Sequence, residues 1–341
     1  MAKKVIIIGG GIAGLEAANK LAAMGTEIHL FEQQSKIGGN VNNWYQLFPD
    51  RRPGEDVLRK LRDEVHPAVQ ISYNAGVKSI EKNNRQFTVN LNSGLTERAD
   101  AILITTGFRN FDATKKEEYG YGIYDNVITS VDLEKMFREK GTVLNARGEK
   151  PRRVGFVHCV GSRDEKAGNN HCSKVCCVTG VKQAIEVREM LPDSEVFCFY
   201  MDLRMFGRHY EELYRESQEE WGVKFIRGRL SEACENMNGS ILIKVEDTLA
   251  GRPMKISVDL LVLLVGFLPS EGTKSIAQLL DLNCGNDGFI TTEDEHLQTN
   301  RTGKEGIFVA GSCTGSKSIP ETLADARAAA LEISQYLNIN A

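Results

Sequence analysis

Hydrophobic and polar residues alternate in blocks that read as strand, turn and helix. In KKVIIIGGGIAGLEAANKLAAMG (residues 3–25) a short apolar run breaks at three glycines and resumes with helical spacing. TEIHLFEQQ (26–34) follows as a second strand, and right-handed crossover makes the two strands parallel. RADAILITTG (98–107) is a later strand ending in small residues. RRVGFVHCVG (152–161), an amphipathic helix in VKQAIEVREML (181–191) and the strand EVFCFYM (195–201) form a second βαβ-like unit. GIFVAGSCTG (306–315) is a strand and turn. IPETLADARAAALEISQYL (319–337) is a helix with Pro320 near its start, where a missing N–H does no harm. The expected organisation is α/β: a discontinuous dinucleotide domain of 1–150 plus 267–341, with a second nucleotide-type domain, 151–266, inserted.

Length and composition fit this plan. The chain has 341 residues, 41% hydrophobic and 26% charged, which suits a soluble protein with room for two cores. A net charge of -4 without a basic block argues against nucleic acid as a partner. The opening residues read as a first strand, with no signal-peptide cleavage pattern, and LLVLLVGFL (260–268) is too short to span a bilayer. A cytoplasmic protein is expected.

Gly9, Gly11 and Gly14 form G-x-G-x-x-G between strand and helix. The first glycine allows a tight turn, the second close approach of a pyrophosphate, and the third close helix–strand packing. The helix N-terminus offers N–H groups to phosphate. Glu32, 18 residues after Gly14, is placed to accept hydrogen bonds from a ribose diol. EQQSKIGGN (32–40), ITTG (104–107) and LQTNRTGKEGIFVAGS (297–312) favour FAD and point to a two-dinucleotide-binding-domain flavoprotein. The expected flavin contacts are Gly9, Gly11, Ile12, Ala13 and Gly14, then Glu32, Gln33, Gly38, Gly39 and Asn40. Val77, Thr105, Thr106 and Gly107 join them, as do Gly311, Ser312, Ile319, Pro320 and Thr322. Ser312 stands where such flavoproteins usually carry Asp. The last helix is expected to aim its positive end at the flavin pyrimidine edge, unless it is merely packed.

Eight cysteines are present. Cys198, Cys234, Cys284 and Cys313 are scattered, and burial as small hydrophobes is expected of most, with Cys313 also a candidate flavin contact. Cys159, Cys172, Cys176 and Cys177 are spaced C-x12-C-x3-C-C. Four thiolates match an iron–sulfur cubane, one per iron. The adjacent pair suits a cubane, whose corners are separate irons, better than one zinc, whose sites use C-x2–4-C pairs. Zinc, a thiol–disulfide switch and inert cysteines remain alternatives.

FVHCVGSRD, HCSKVCC and VKQA resemble the HdrA family of heterodisulfide reductases, and the resemblance continues through YMDLRMFGRHYEELY (200–214) and GSKSIPETLADARAAA (315–330). It implies a [4Fe–4S] cluster on Cys159, Cys172, Cys176 and Cys177 beside FAD, and a catalytic role for Lys182 near the flavin's reactive ring nitrogen. An exposed helical lysine is the alternative there. It also implies a homodimer within a larger heterodisulfide-reductase-like complex in sulfur metabolism. The chain departs from long family members in lacking C-x2-C-x2-C-x3-C-P runs, so it is similar to compact forms with one flavin and one cluster. His171 stands where the family commonly has an aromatic residue, and His158 precedes Cys159; either is a candidate to tune a cluster or simply to pack. No second glycine fingerprint occupies HCVGSRDEKAGNNHCSKVCC (158–177), where a pyridine-nucleotide enzyme would carry one. An oxidoreductase that passes electrons between flavin and cluster is therefore expected. A stand-alone NAD(P)H-dependent disulfide or quinone oxidoreductase and a cofactor-bearing scaffold are the alternatives.

Overall fold

The computed structural model describes residues 3–339. In chain order its principal elements begin with β1 (Lys4–Ile8), α1 (Ile12–Ala23), β2 (Glu27–Phe31), β3 (Val69–Ser72) and β4 (Ala101–Ile104). Next come β5 (Val127–Thr129), α2 (Ser130–Lys140), β6 (Arg153–Val160), α3 (Cys176–Met190), β7 (Glu195–Tyr200), α4 (Tyr210–Glu219) and β8 (Lys224–Arg227). β9 (Leu260–Val265), β10 (Ile307–Val309) and α5 (Ile319–Ile339) complete the set.

These elements build two units. The first takes residues up to 42, 55–109 and those from 268 onward; the second takes 43–54 and 110–267. In the first, five parallel strands run β10-β4-β1-β2-β3. Val5–Ile8 and Ala101–Ile104 are buried, as central parallel strands covered on both faces must be. An antiparallel three-stranded sheet, Val77–Asn83, Gln86–Leu91 and Thr96–Ala99, contributes Phe87 and Val89 to the same core as Ile6, Ile104 and Val309.

The second unit repeats the plan. Its five parallel strands run β5-β9-β6-β7-β8, and a second antiparallel trio spans Leu230–Glu235, Ile241–Asp247 and Arg252–Val258. Its core joins Phe137, Val154, Phe156, Val187, Leu260 and Val262. Thr129 and Asp132 close a capping box at the start of α2, and Gly141 ends that helix in the left-handed region.

The expected boundary at residue 150 lies elsewhere in the structure. Residues 110–150 pack with the second unit because β5 is the edge strand beside β9. Three residues of β5 carry too little periodicity to announce a sheet. Residues 43–54 join it too, through backbone contacts to α2 and α3 described below.

Candidate functional site

Two turns occupy equivalent places, each after the central strand of a parallel sheet. In the first unit the turn joins β1 to α1. Gly9 has φ +115, and a Cβ there would lie 2.5 Å from the Thr105 carbonyl oxygen. A Cβ at Gly14 would lie 2.0 Å from the Gly9 carbonyl oxygen. At Gly11 it would meet nothing within 4 Å, so the backbone faces open space there. Gly11 also caps α1 without a side-chain acceptor, leaving first-turn N–H groups for a ligand.

Glu32 is buried, with Oε2 accepting from Gly10 N at 2.7 Å and Oε1 from Gln34 N at 2.7 Å. It holds the glycine turn, and its remaining lone pairs stay available for hydroxyl donors. Ile12 and Ala13 are buried in the first turn of α1. Gly38 N donates to Gly10 O at 2.7 Å, and a Cβ at Gly39 would lie 3.1 Å from Gly11 Cα, so both glycines lie against the same turn. Asn40 is fixed by a bond to the Phe108 carbonyl, whereas Gln33 is exposed. Val77 is half-buried at the start of its strand. Thr105 Oγ1 donates to Gly9 O at 2.8 Å; Thr106 pairs with Thr273; Gly107 adopts φ +67 with open space beside it.

At the C-terminal turn, Gly311 N donates to Asp325 Oδ2 at 2.8 Å and Ser312 is buried. Asp325, which also accepts from Asn300, is a residue that sequence reading missed. It lies 13 positions beyond Ser312, one helical turn past Thr322. Ile319 and Pro320 begin α5, and Thr322 N donates to Ser318 O. Ser318 and Glu321 cap that helix reciprocally, so its end already holds a carboxylate while that of α1 does not.

In the second unit the turn joins β6 to α3 and carries sulfur. A β-bulge between Val157 and Val160 puts Cys159 at φ +62, re-aiming its side chain out of strand alternation. Cys176 and Cys177 are the first two residues of α3, whose N-cap Val175 offers no side-chain acceptor. Cys176 makes hydrogen-bond contact with both Cys159 and Cys177, and all three are buried. Those contacts raise the Cys176 thiol well above its usual pKa. Donation from Cys176 lowers Cys177 to about 4 against the opposing effect of burial, with help from His158. Cys159 is lowered by Cys176 and, more weakly, by Arg163. His158 approaches Cys177, although neither ring nitrogen reaches aligned hydrogen-bond geometry.

Cys172 lies on the same loop, half-buried, with Lys174 N donating to its sulfur at 3.3 Å. Arg163 feels the charge of both Cys159 and Cys172. The loop is pinned at several points. Ser162 Oγ donates to His171 O, Ser173 N donates to Ser162 Oγ, and His171 Nε2 lies 2.9 Å from Phe267 O. Asp164 forms a buried ion pair with Lys116 at 2.7 Å. Among the described residues no set of three or more His, Cys, Asp or Glu side chains is arranged to hold a single metal ion. The donors nevertheless suit an iron–sulfur cluster chemically: three buried thiols at a bare helix N-terminus, with half-buried Cys172 on the same loop, beside a guanidinium.

Lys182 differs from the exposed alternative. It is 1% exposed, and its ammonium donates to Glu134 Oε1 at 2.5 Å and Gln46 O at 2.9 Å, 3.1 Å from Glu186 Oε2. Burial pulls its pKa down, but Glu186 and Glu134 outweigh burial and hold it above the ordinary lysine value. Burial pushes Glu186 up to about 8, with Lys182 opposing. Glu134 also accepts from Tyr45 N at 2.7 Å and Gln183 Nε2 at 2.8 Å.

Of the scattered cysteines, Cys198 and Cys313 are buried, Cys234 is half-buried and Cys284 is exposed, so burial fits only two of the four. Cys313 Sγ bonds the Ile104 and Ala310 carbonyls, and burial pushes its thiol up to about 12, as in an inert core residue.

A family model described as pyridine nucleotide-disulphide oxidoreductase matches residues 3–143 and 177–330. The chain belongs to that family. The unmatched stretch, 144–176, contains Cys159, Cys172 and Cys176, so the sulfur-bearing turn is where this chain leaves the family pattern. Curated relatives include HdrA, the iron-sulfur subunit of CoB--CoM heterodisulfide reductase, from Methanocaldococcus jannaschii, 33% identical over 97% of this chain and 64% of the relative. A Methanopyrus kandleri protein with the same description is 34% identical over 97% and 63%. The chain thus spans just under two thirds of the length of these relatives. Among solved structures, thioredoxin reductase from T. acidophilum superposes with a TM-score of 0.68 at 18% identity, covering 99% of this chain and all of the other. The Lactococcus lactis thioredoxin reductase gives 0.67 at 18%, covering 98% and 99%. These likenesses show the two-unit α/β fold.

Proposed function

We propose that this protein is a flavin-dependent oxidoreductase subunit that passes electrons between FAD and a [4Fe–4S] cluster. The observation that carries the proposal is the convergence of three buried thiols, Cys176 touching both Cys159 and Cys177, at the bare N-terminus of α3. The names of the methanogen relatives, iron-sulfur subunits of heterodisulfide reductases, support the same reading. FAD when bound supplies two-electron chemistry that divides into single electrons, and the cluster supplies the one-electron steps.

The chain's own residues would act as follows. Gly9, Gly11 and Gly14 shape the turn that receives the FAD pyrophosphate, and the α1 N–H groups bind it. Glu32 fixes that turn and takes the ribose hydroxyls. Cys159, Cys172, Cys176 and Cys177 would hold the cluster, with Arg163 offsetting their charge. For Lys182 the proposed part is electrostatic: a buried cation whose carboxylate partners limit how much charge it presents to a flavin. We further propose a reducing cytoplasm, a homodimer, and service inside a heterodisulfide-reductase-like complex of sulfur metabolism.

Anaerobic reconstitution tests the proposal. The protein should hold one flavin and about four irons and four sulfides per chain. Cys177→Ser should lower iron content and remove the reduced-cluster EPR signal. A second reading has its own observation: Cys176 in contact with two further cysteine side chains is also what a dithiol–disulfide couple needs. Iron-free protein that loses two titratable thiols on mild oxidation would favour it over the cluster.

A further inference from the structure

The sulfur centre lies directly beneath a surface loop, residues 201–209, between β7 and α4. Cys177 Sγ is 3.7 Å from the Asp202 carbonyl oxygen, and the Arg204 backbone N–H donates to the same sulfur. The cover over the buried thiol is therefore one segment of backbone. On the outer side Phe206 is 64% exposed, a large aromatic left in water. The Lys174 ammonium sits 5.8 Å from the centre of its ring.

The loop is also electropositive. Arg204 and Arg208 are exposed and have no ion-pair partner among the described residues. Asp202, the carboxylate of the loop, is offset by Arg163 at 2.8 Å and Arg227 at 3.6 Å. Two exposed acids, Glu211 and Glu212, follow in the first turn of α4. On a chain of net charge -4, exposed arginines two positions either side of an exposed aromatic whose ring also meets Lys174 are a local reversal of sign. Aromatic and Arg residues anchor protein interfaces, and a positive rim steers an acidic partner towards them.

We propose that the 201–209 loop with Lys174 is the docking surface for an acidic protein carrying a one-electron centre. The inference rests on the reading of the cysteine set as an electron-transfer centre. In the exchange one electron leaves one centre and enters the other, so one is oxidised as the other is reduced, and no bond is made or broken.

The test uses the intact, cofactor-loaded protein, with a flavodoxin as the acidic probe and cytochrome c as the basic control. Calorimetry should show flavodoxin binding that weakens as salt rises. Phe206→Ala should weaken it roughly tenfold. The double variant Arg204→Glu, Arg208→Glu should abolish it, and Arg208→Glu alone, clear of the contact residue 204 makes with Cys177, should weaken it with flavin and iron content unchanged. The proposal is overturned if flavodoxin does not bind, if no variant alters its binding, or if cytochrome c binds equally well. It is also overturned if 2′,5′-ADP binds the wild type and is lost in the double variant, because the arginines would then serve a nucleotide phosphate. Iron-free protein that still binds flavodoxin leaves the docking surface standing and removes the electron-transfer reading. Iron-replete protein that fails to bind does the reverse.

Discussion

Glu186 is a carboxylate placed where water cannot reach it, and the consequence is a pH dependence with a definite sign. Its folded pKa of about 8 exceeds the ordinary 4.5, so the folded state binds the proton more tightly than the unfolded chain. Stability from this group is complete below about pH 4.5 and is lost as pH rises through 8. Each tenfold difference in proton affinity is worth about 1.4 kcal/mol. Glu186→Gln keeps the shape and cannot ionise. Denaturant titrations at pH 6 and pH 9 should show the wild type losing stability that the variant retains; parallel losses would refute the assignment. The three fingerprint glycines separate in the same way. Gly14→Ala meets the Gly9 carbonyl and should cost about 1–3 kcal/mol by overpacking. Gly11→Ala points into open space, so thermal stability should hold while FAD affinity falls about tenfold or more, read by flavin-release titration.

At the scale of elements, the loop between β6 and α3 stays in place through the Lys116–Asp164 ion pair, whose members are 3% and 2% exposed. Lys116→Ala would leave the buried Asp164 carboxylate with Arg229 at 3.6 Å as its remaining cation, at a cost of about 1–3 kcal/mol. A hydrogen-exchange experiment should find the loss of protection concentrated in 161–172; uniform loss along the chain would contradict this. The elements that frame the site were legible in the sequence because each has a strong local signal. β1 holds four consecutive apolar residues ended by glycine, and α3 carries apolar residues at helical spacing, although its polar Lys182, Gln183 and Glu186 are buried where an amphipathic helix would expose them. The start of that helix was not legible: the pattern places it at Val181, whereas α3 begins at Cys176, so the vicinal pair opens it. What else escaped was non-local. Nothing near Asp325 announces that it will hold Gly311 N, and nothing near Lys182 announces Glu134, 48 positions away, as its partner. The bulge at Cys159 breaks strand alternation only in three dimensions.

For the molecule as a whole, the two units follow one plan: five parallel strands and an antiparallel trio. That plan was readable as two βαβ signals, but the boundary was not, because β5 is short and residues 43–54 cross over in sequence. The missing second glycine fingerprint leads to a prediction at this scale. NADPH should not bleach the bound flavin on the stopped-flow timescale, whereas a one-electron reductant should; rapid bleaching by NADPH would reinstate a nicotinamide-dependent enzyme. The matching crossovers, β1 to α1 and β6 to α3, carry a longer consequence. One does its work by lacking side chains and the other by supplying sulfur, while the strands and helices that flank them are the same kind of scaffold. Chemistry in such a molecule is a replaceable fitting. Within about twenty residues of one loop the donors on offer change from backbone N–H groups to thiols, while the buried core, where most mutations do harm, keeps one plan.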